Sequence, residues 1–179
     1  MQLKRFADGL VLKNMVIRKA KLQDADKIHK ILAQAFKELE KRGYSTHAIE
    51  TAIVDVDEIK NRIRSGGHVL VAEFENEIVG TVTGFEEHES MHVCSLSVYP
   101  VYQNCGVARQ LMRHLEAIAH RKGCFKLFLH TAWAMKEAIR LYESLGYLKE
   151  GYLRRYFYGE DFIIFSKFIE TSNNTNNRR

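Results

Sequence analysis

Between Leu22 and Lys41 the apolar positions Ile28, Ile31, Leu32, Ala35, Phe36 and Leu39 recur at the three-and-four spacing of a helix with one buried stripe. Asp24 stands ahead of that stripe as an early acidic residue or cap. Met15 to Arg18 reads as a short strand before it. Asp55 to Ser65 reads as a second helix, stopped at Gly66-Gly67. The stretch between, Arg42 to Val54, fits a loop or an irregular helix. His68–Phe74 and Ile78–Phe85 are strand-like around a turn at Glu75-Asn76-Glu77, and Met91–Val98 is a further strand. Val107 to Arg121 then carries Leu111, Met112, Leu115, Ile118 and Ala119 on one side of a helix, with Gly123 as its stop. Phe125–Thr131 is a fifth strand, and Lys136–Leu145 is a last helix closed by Gly146. Tyr147–Tyr158 and Asp161–Ile169 form a strand pair around Gly159-Glu160. Strands alternating with helices give an α/β fold, and hairpins make its central sheet mixed.

Composition narrows the class. A chain of 179 residues is long enough for one domain with a sizeable core. The expected division is an extension over residues 1–14, a domain over 15–170, and an Asn/Ser/Thr-rich disordered tail over 171–179. With 46% hydrophobic and 27% charged residues the chain reads as a soluble globular protein. No apolar run approaches the ~20 residues that span a bilayer. Residues 1–14 lack the apolar core of a signal peptide. Cys94, Cys105 and Cys124 make no CxxC pair, which points to a reducing compartment and a cytoplasmic location. The histidines are scattered, so no metal is expected. The net charge of +5 favours polyanionic partners. Nucleic acid is disfavoured, because no stripe of Lys and Arg interleaved with aromatics is present.

The chemistry concentrates in Leu96-Ser97-Val98-Tyr99-Pro100-Val101-Tyr102-Gln103-Asn104-Cys105-Gly106-Val107-Ala108-Arg109. A strand ends at the only proline, a short loop carries Gln-x-x-Gly-x-Ala, and a helix follows at once. Such a turn gathers backbone N–H groups at a helix N-terminus, a ready seat for a pyrophosphate. Glycine in it lets the backbone approach the ligand closely.

The order Val-x-Pro-x-Tyr-Gln-x-x-Gly-x-Ala resembles the acetyl-coenzyme A signature of the GCN5-related N-acetyltransferases, the GNAT superfamily. A second block, Ala138-Ile139-Arg140-Leu141-Tyr142-Glu143-Ser144-Leu145-Gly146-Tyr147, is similar to the later helix of that family. The resemblance spans about Val16 to Phe168. It implies a single-domain α/β fold with a mixed, mostly antiparallel central sheet flanked by helices. It implies an enzyme that moves an acetyl group from acetyl-coenzyme A to a primary amine by direct attack in a ternary complex. The acceptor stays open between a protein N-terminus, a lysine and a small molecule. A non-catalytic acyl-coenzyme A sensor on the same fold is the alternative, and a homodimer is a common arrangement.

By the same resemblance, Leu96, Ser97 and Val98 lie along the pantetheine arm, and Gln103, Asn104, Cys105, Gly106, Val107, Ala108 and Arg109 surround the pyrophosphate. Tyr142 is the candidate general acid for the leaving thiolate. His130 is the candidate base, matching a glutamate of the ribosomal-protein alanine acetyltransferases, which the C-terminal half resembles. His92 is its rival, and Glu86 or Glu87 could act through water. Tyr156 and Tyr158, placed on one strand face by the period of two, are candidates for holding the acceptor with Glu86. Met135 stands where the family often has a cofactor-binding asparagine, and Trp133 either packs on the sheet or lines the acceptor pocket.

Overall fold

The computed structural model describes Leu12, residues 14–40 and residues 46–169, the side chains of residues 38 and 39 excepted. The expected extension (apart from Leu12 and Asn14), the tail at 171–179 and residues 41–45 lie outside the described residues. The strands are β1 (Val16–Lys19), β2 (His68–Phe74), β3 (Glu77–Glu87), β4 (Ser90–Val98), β5 (Lys126–Ala132), β6 (Leu148–Phe157) and β7 (Glu160–Phe168). The helices are α1 (Ala25–Glu40), α2 (Thr46–Ala52), α3 (Val56–Arg64), α4 (Val107–Arg121) and α5 (Lys136–Ser144). The sheet has seven strands in the order β1-β2-β3-β4-β5-β7-β6. β1 with β2, β5 with β7 and β6 with β7 are antiparallel. β4 and β5 are parallel, with α4 between them in sequence. This is the mixed α/β sheet expected.

The chain divides into two compact units, Met1–Thr83 with Ser95–His114, and Gly84–Cys94 with Leu115–Arg179. In the first, the stripe on α1 buries Ala25, Ile28, Ile31 and Leu32 against Ile59 of α3 and Val69, Val71 and Ile78 of the strands. Burial of each large aliphatic side chain stabilises by roughly 1.5–3 kcal/mol. The start of α1 is tied down by Asp24, which precedes the helix in a short 3₁₀ turn. Its Oδ2 accepts from the Lys21 N–H at 2.7 Å and from Arg18 Nη1 of β1 at 2.7 Å. Arg18 Nε also donates to Glu73 of β2 at 2.7 Å. Asp24 is therefore the acceptor of a strand-to-turn network and closes the 3₁₀ turn ahead of α1 through the Lys21 N–H.

In the second unit, Met91 and Val93 of β4, Leu127 and Leu129 of β5, and Ile163 and Phe165 of β7 are buried together with Leu115, Ala119, Tyr142 and Tyr147. Tyr142 of α5 packs its ring 5.8 Å from Phe165 and 5.9 Å from Tyr147. Lys167 of β7 pairs with Glu116 of α4 at 2.8 Å, and Lys149 of β6 pairs with Glu143 of α5 at 2.8 Å. These pairs put α4 and α5 on the sheet face that carries Phe165 and Lys167.

Candidate active site

The loop before α4 is built from local chemistry. Pro100–Tyr102 forms a 3₁₀ turn, with Tyr102 and Gln103 N–H groups donating to Tyr99 and Pro100 carbonyls. Gln103 turns back to extended backbone, and its Nε2 donates to the Val98 carbonyl at 3.3 Å. Asn104 and Gly106 both take left-handed backbone, with φ of 60° and 78°. Asparagine tolerates that region, and glycine enters it without steric cost. Cys105 points inward, buried, so its neighbours Asn104 and Gly106 are left exposed. A Cβ on Gly106 would meet no protein atom within 4 Å. Packing does not demand this glycine; the backbone conformation favours it, and the space above it is open. The 15 residues of α4 start at Val107, and the N–H groups of a first turn have no intrahelical acceptor. Such a helix start offers N–H donors that suit an anion.

Gly80 of β3 sets where that helix begins. A Cβ there would come within 2.9 Å of Val107 Cγ1, 3.2 Å of Leu111 Cδ1 and 3.2 Å of the Ser97 carbonyl oxygen. The missing side chain lets the first turn of α4 lie directly on β3 at Gly80. Leu96, Ser97 and Val98 close β4, with Ser97 and Val98 buried.

The second unit carries the other candidates. His92, Phe128, His130 and Tyr156 form a run of rings. His92 stacks on Phe128 at 4.8 Å with the planes 7° apart. His130 meets His92 at 5.4 Å, Phe128 at 6.1 Å and Tyr156 at 6.0 Å. Tyr156 in turn meets Phe162 at 5.6 Å. Burial lowers the His130 pKa below its ordinary 6.5, and the neighbouring His92 adds to this against Glu87. Its imidazole is therefore neutral and able to accept a proton at neutral pH. Burial, with Cys94 nearby, pushes the Tyr142 phenol above its ordinary 10. That phenol stays protonated and has a proton to give.

Glu86 forms an ion pair with Lys122, the residue after α4, at 3.0 Å. Glu87, one residue on, is the carboxylate that reaches His92, at 3.2 Å from Nδ1. Tyr158 departs from the strand-face expectation. β6 ends at Phe157, and Tyr158 sits in the turn with φ of 47°. A register shift between Leu153 and Phe157, with Arg155 at φ 48°, breaks the period of two. Tyr156 faces His130, whereas Tyr158 packs edge-on to Phe157 at 4.8 Å. Met135 is the residue before α5, and its sulfur accepts from Thr131 Oγ1 at 3.8 Å. Trp133 is about half exposed, lies 5.9 Å from Tyr152 and carries Lys136 Nζ 4.4 Å from its ring centroid. Among the described residues no group of His, Cys, Asp and Glu side chains could hold a metal, and no helix is long and apolar enough to cross a membrane.

The family model described as "Acetyltransferase (GNAT) family" matches residues 26–147. A curated relative, probable N-acetyltransferase 14 of Danio rerio, is 34% identical over 97 residues, which are 53% of this chain and 35% of that protein. The chain thus spans about a third of that relative's length. Among solved structures, PaiA N-acetyltransferase of Thermoplasma acidophilum in complex with coenzyme A superposes with a TM-score of 0.76 at 18% identity, over 87% of this chain and 99% of that one. A ribosomal-protein-alanine N-acetyltransferase of Brucella melitensis gives a TM-score of 0.71 at 24% identity, over 86% and 99%.

Proposed function

Because the chain belongs to the acetyltransferase (GNAT) family, we propose that it transfers an acetyl group from acetyl-coenzyme A to a primary amine. The observation that carries this is the Asn104–Gly106 cradle at the start of α4, whose left-handed residues leave open space in front of a helix N-terminus. Acetyl-coenzyme A supplies an activated acyl group as a thioester. The backbone from Gln103 to Arg109 holds its pyrophosphate, and Leu96, Ser97 and Val98 take its pantetheine arm. Tyr142, kept protonated by burial, gives a proton to the leaving thiolate. His130, kept neutral, receives the proton of the acceptor ammonium, with His92 as the second candidate for that role. Tyr156 presents its ring beside His130 and supports the acceptor. Tyr158 and Glu86 are weaker candidates for that support, since one sits in the turn and the other is paired with Lys122.

The acceptor is a protein N-terminus, a lysine or a small amine; resemblance to a ribosomal-protein-alanine enzyme supports the first. The test is free-thiol release from acetyl-coenzyme A across a panel of peptides with free N-termini, lysine peptides and small amines. Amine-dependent release with an acetylated product supports the reading. Tight coenzyme A binding without release on any amine would turn it toward a non-catalytic acyl-coenzyme A sensor.

A further inference from the structure

Ser95 interrupts β4 in a way its sequence does not explain. It is not glycine, yet its φ is 52°. Left-handed backbone is unfavourable for a residue with a Cβ, and it persists only where the surroundings hold it. The position is also consequential. β4 pairs with β5 over Ser90–Val93, and the residues after Ser95 are Leu96, Ser97 and Val98, assigned above to the pantetheine arm.

One long side chain reaches this point. Arg62, on the last turn of α3, donates from Nη1 to Ser95 Oγ at 3.1 Å. Its Nε donates to Glu58 Oε1, one turn earlier, at 2.9 Å. The Arg62 side chain is 19% exposed, so solvent competes little for the guanidinium. Glu58 stands in the first turn of α3, where its N–H donates to the Asp55 carboxylate that caps the helix, at 2.7 Å. The Arg62 guanidinium therefore bridges the Glu58 carboxylate of α3 to the kink in the strand. The guanidinium is planar, and its spaced donors can serve Glu58 and Ser95 together, which a lysine could not do with the same geometry.

We propose that Arg62 is a positioning residue for cofactor binding: it pins the left-handed kink at Ser95 and so sets the backbone of Leu96, Ser97 and Val98. This rests on the cofactor reading of that strand. Arg62 acts through Ser95 and is assigned no contact with the cofactor.

The kink makes the proposal separable from a direct role. Glycine adopts φ of 52° freely, so Ser95→Gly needs no clamp. Alanine keeps the strain and lacks the hydroxyl. Coenzyme A binding to the full chain is measured by calorimetry for the parent, Arg62→Met, Ser95→Ala, Ser95→Gly and the double variant Arg62→Met/Ser95→Gly, with melting curves recorded for each. Arg62→Met and Ser95→Ala should each weaken binding by about tenfold, the loss of one charge-assisted hydrogen bond. Ser95→Gly should bind within about threefold of the parent, and adding Arg62→Met to it should change little further. An equal loss from Arg62→Met in the serine and glycine backgrounds would overturn the proposal and give Arg62 a direct contact. Parent-like affinity in Arg62→Met and Ser95→Ala would also overturn it, leaving the cofactor reading intact. Ser95→Ala leaves α3 untouched, so it remains decisive should Arg62→Met fold poorly. If the parent itself does not bind coenzyme A, the cofactor reading fails and the proposal with it.

Discussion

Gly106→Val separates a glycine needed for folding from one needed for a ligand. With φ at 78° and no protein atom within 4 Å of where a Cβ would stand, a side chain here costs the fold only its backbone conformation. That cost is roughly 1–2 kcal/mol for an L-residue in left-handed backbone. For a chain of this size each kcal/mol lowers the melting temperature by about 2–4 °C. The variant should therefore melt several degrees low and still fold. The pyrophosphate is affected differently, because the new isopropyl group fills the space from which the loop amides are approached. Coenzyme A affinity should fall at least ~100-fold, equivalent to about 2.7 kcal/mol. Gly80→Ala is the contrasting control: its Cβ would stand 2.9 Å from Val107 Cγ1 and 3.2 Å from the Ser97 carbonyl oxygen. Overpacking of that kind costs typically ~1–3 kcal/mol, so it should lower stability foremost, and affinity only as far as α4 shifts. Melting curves without ligand and calorimetry with coenzyme A read the two quantities independently. A folded Gly106→Val protein with coenzyme A affinity within about threefold of the parent would refute the cradle assignment.

Tyr142→Phe should lower turnover by ~10²–10⁴-fold while coenzyme A affinity is kept, and parent-like rates on a good acceptor would make Tyr142 a packing residue. His130→Ala should lose rate chiefly at neutral pH and recover partly at alkaline pH, where more of the amine is already neutral; His92→Ala should cost less, and the reverse ranking in the pH–rate profiles would move the role to His92. The lowered His130 pKa also has a stability consequence: the unfolded chain binds its proton more readily, so this contribution is full above the ordinary 6.5 and lost as pH falls below it, and His130→Phe should flatten that limb in pH-dependent melts. Asp24 is opposed by burial, but the Arg18 guanidinium and the Lys21 N–H outweigh it and hold the carboxylate below its ordinary 3.8. Its contribution is present above that value and lost as pH falls through the lowered one; Asp24→Asn should cost about 1–3 kcal/mol near neutrality and less in acid, measured by urea unfolding across pH.

Local grammar made α4 readable to the residue, because an amphipathic stripe is bracketed by glycines at 106 and 123. The turn ahead of α4 is legible for the same reason: Gln103 to Arg109 are contiguous, and their conformation depends on local sequence more than on distant neighbours. α2 was less legible. Thr46–Ala52 is under two turns long, and its buried face is Ala48 and Ile49, too short a stripe to establish a helical period. The period of two failed at Tyr158 because a bulge at Arg155 and a left-handed turn residue reset the strand. What stayed hidden is non-local. The carboxylate at His92 is Glu87 across the two-residue turn His88-Glu89, whose residues both have positive φ, and which glutamate faces the ring follows from hairpin register. Arg62 and Ser95 are 33 positions apart, and no pattern along the chain announces a left-handed serine. The division follows from the physics: the turn and start of a helix are written in one segment, whereas the groups that contact a strand kink or a histidine come from other elements. Residues of the second kind, Arg62, Glu87 and Gly80, are therefore the ones whose substitution tests whether the fold positions the chemistry.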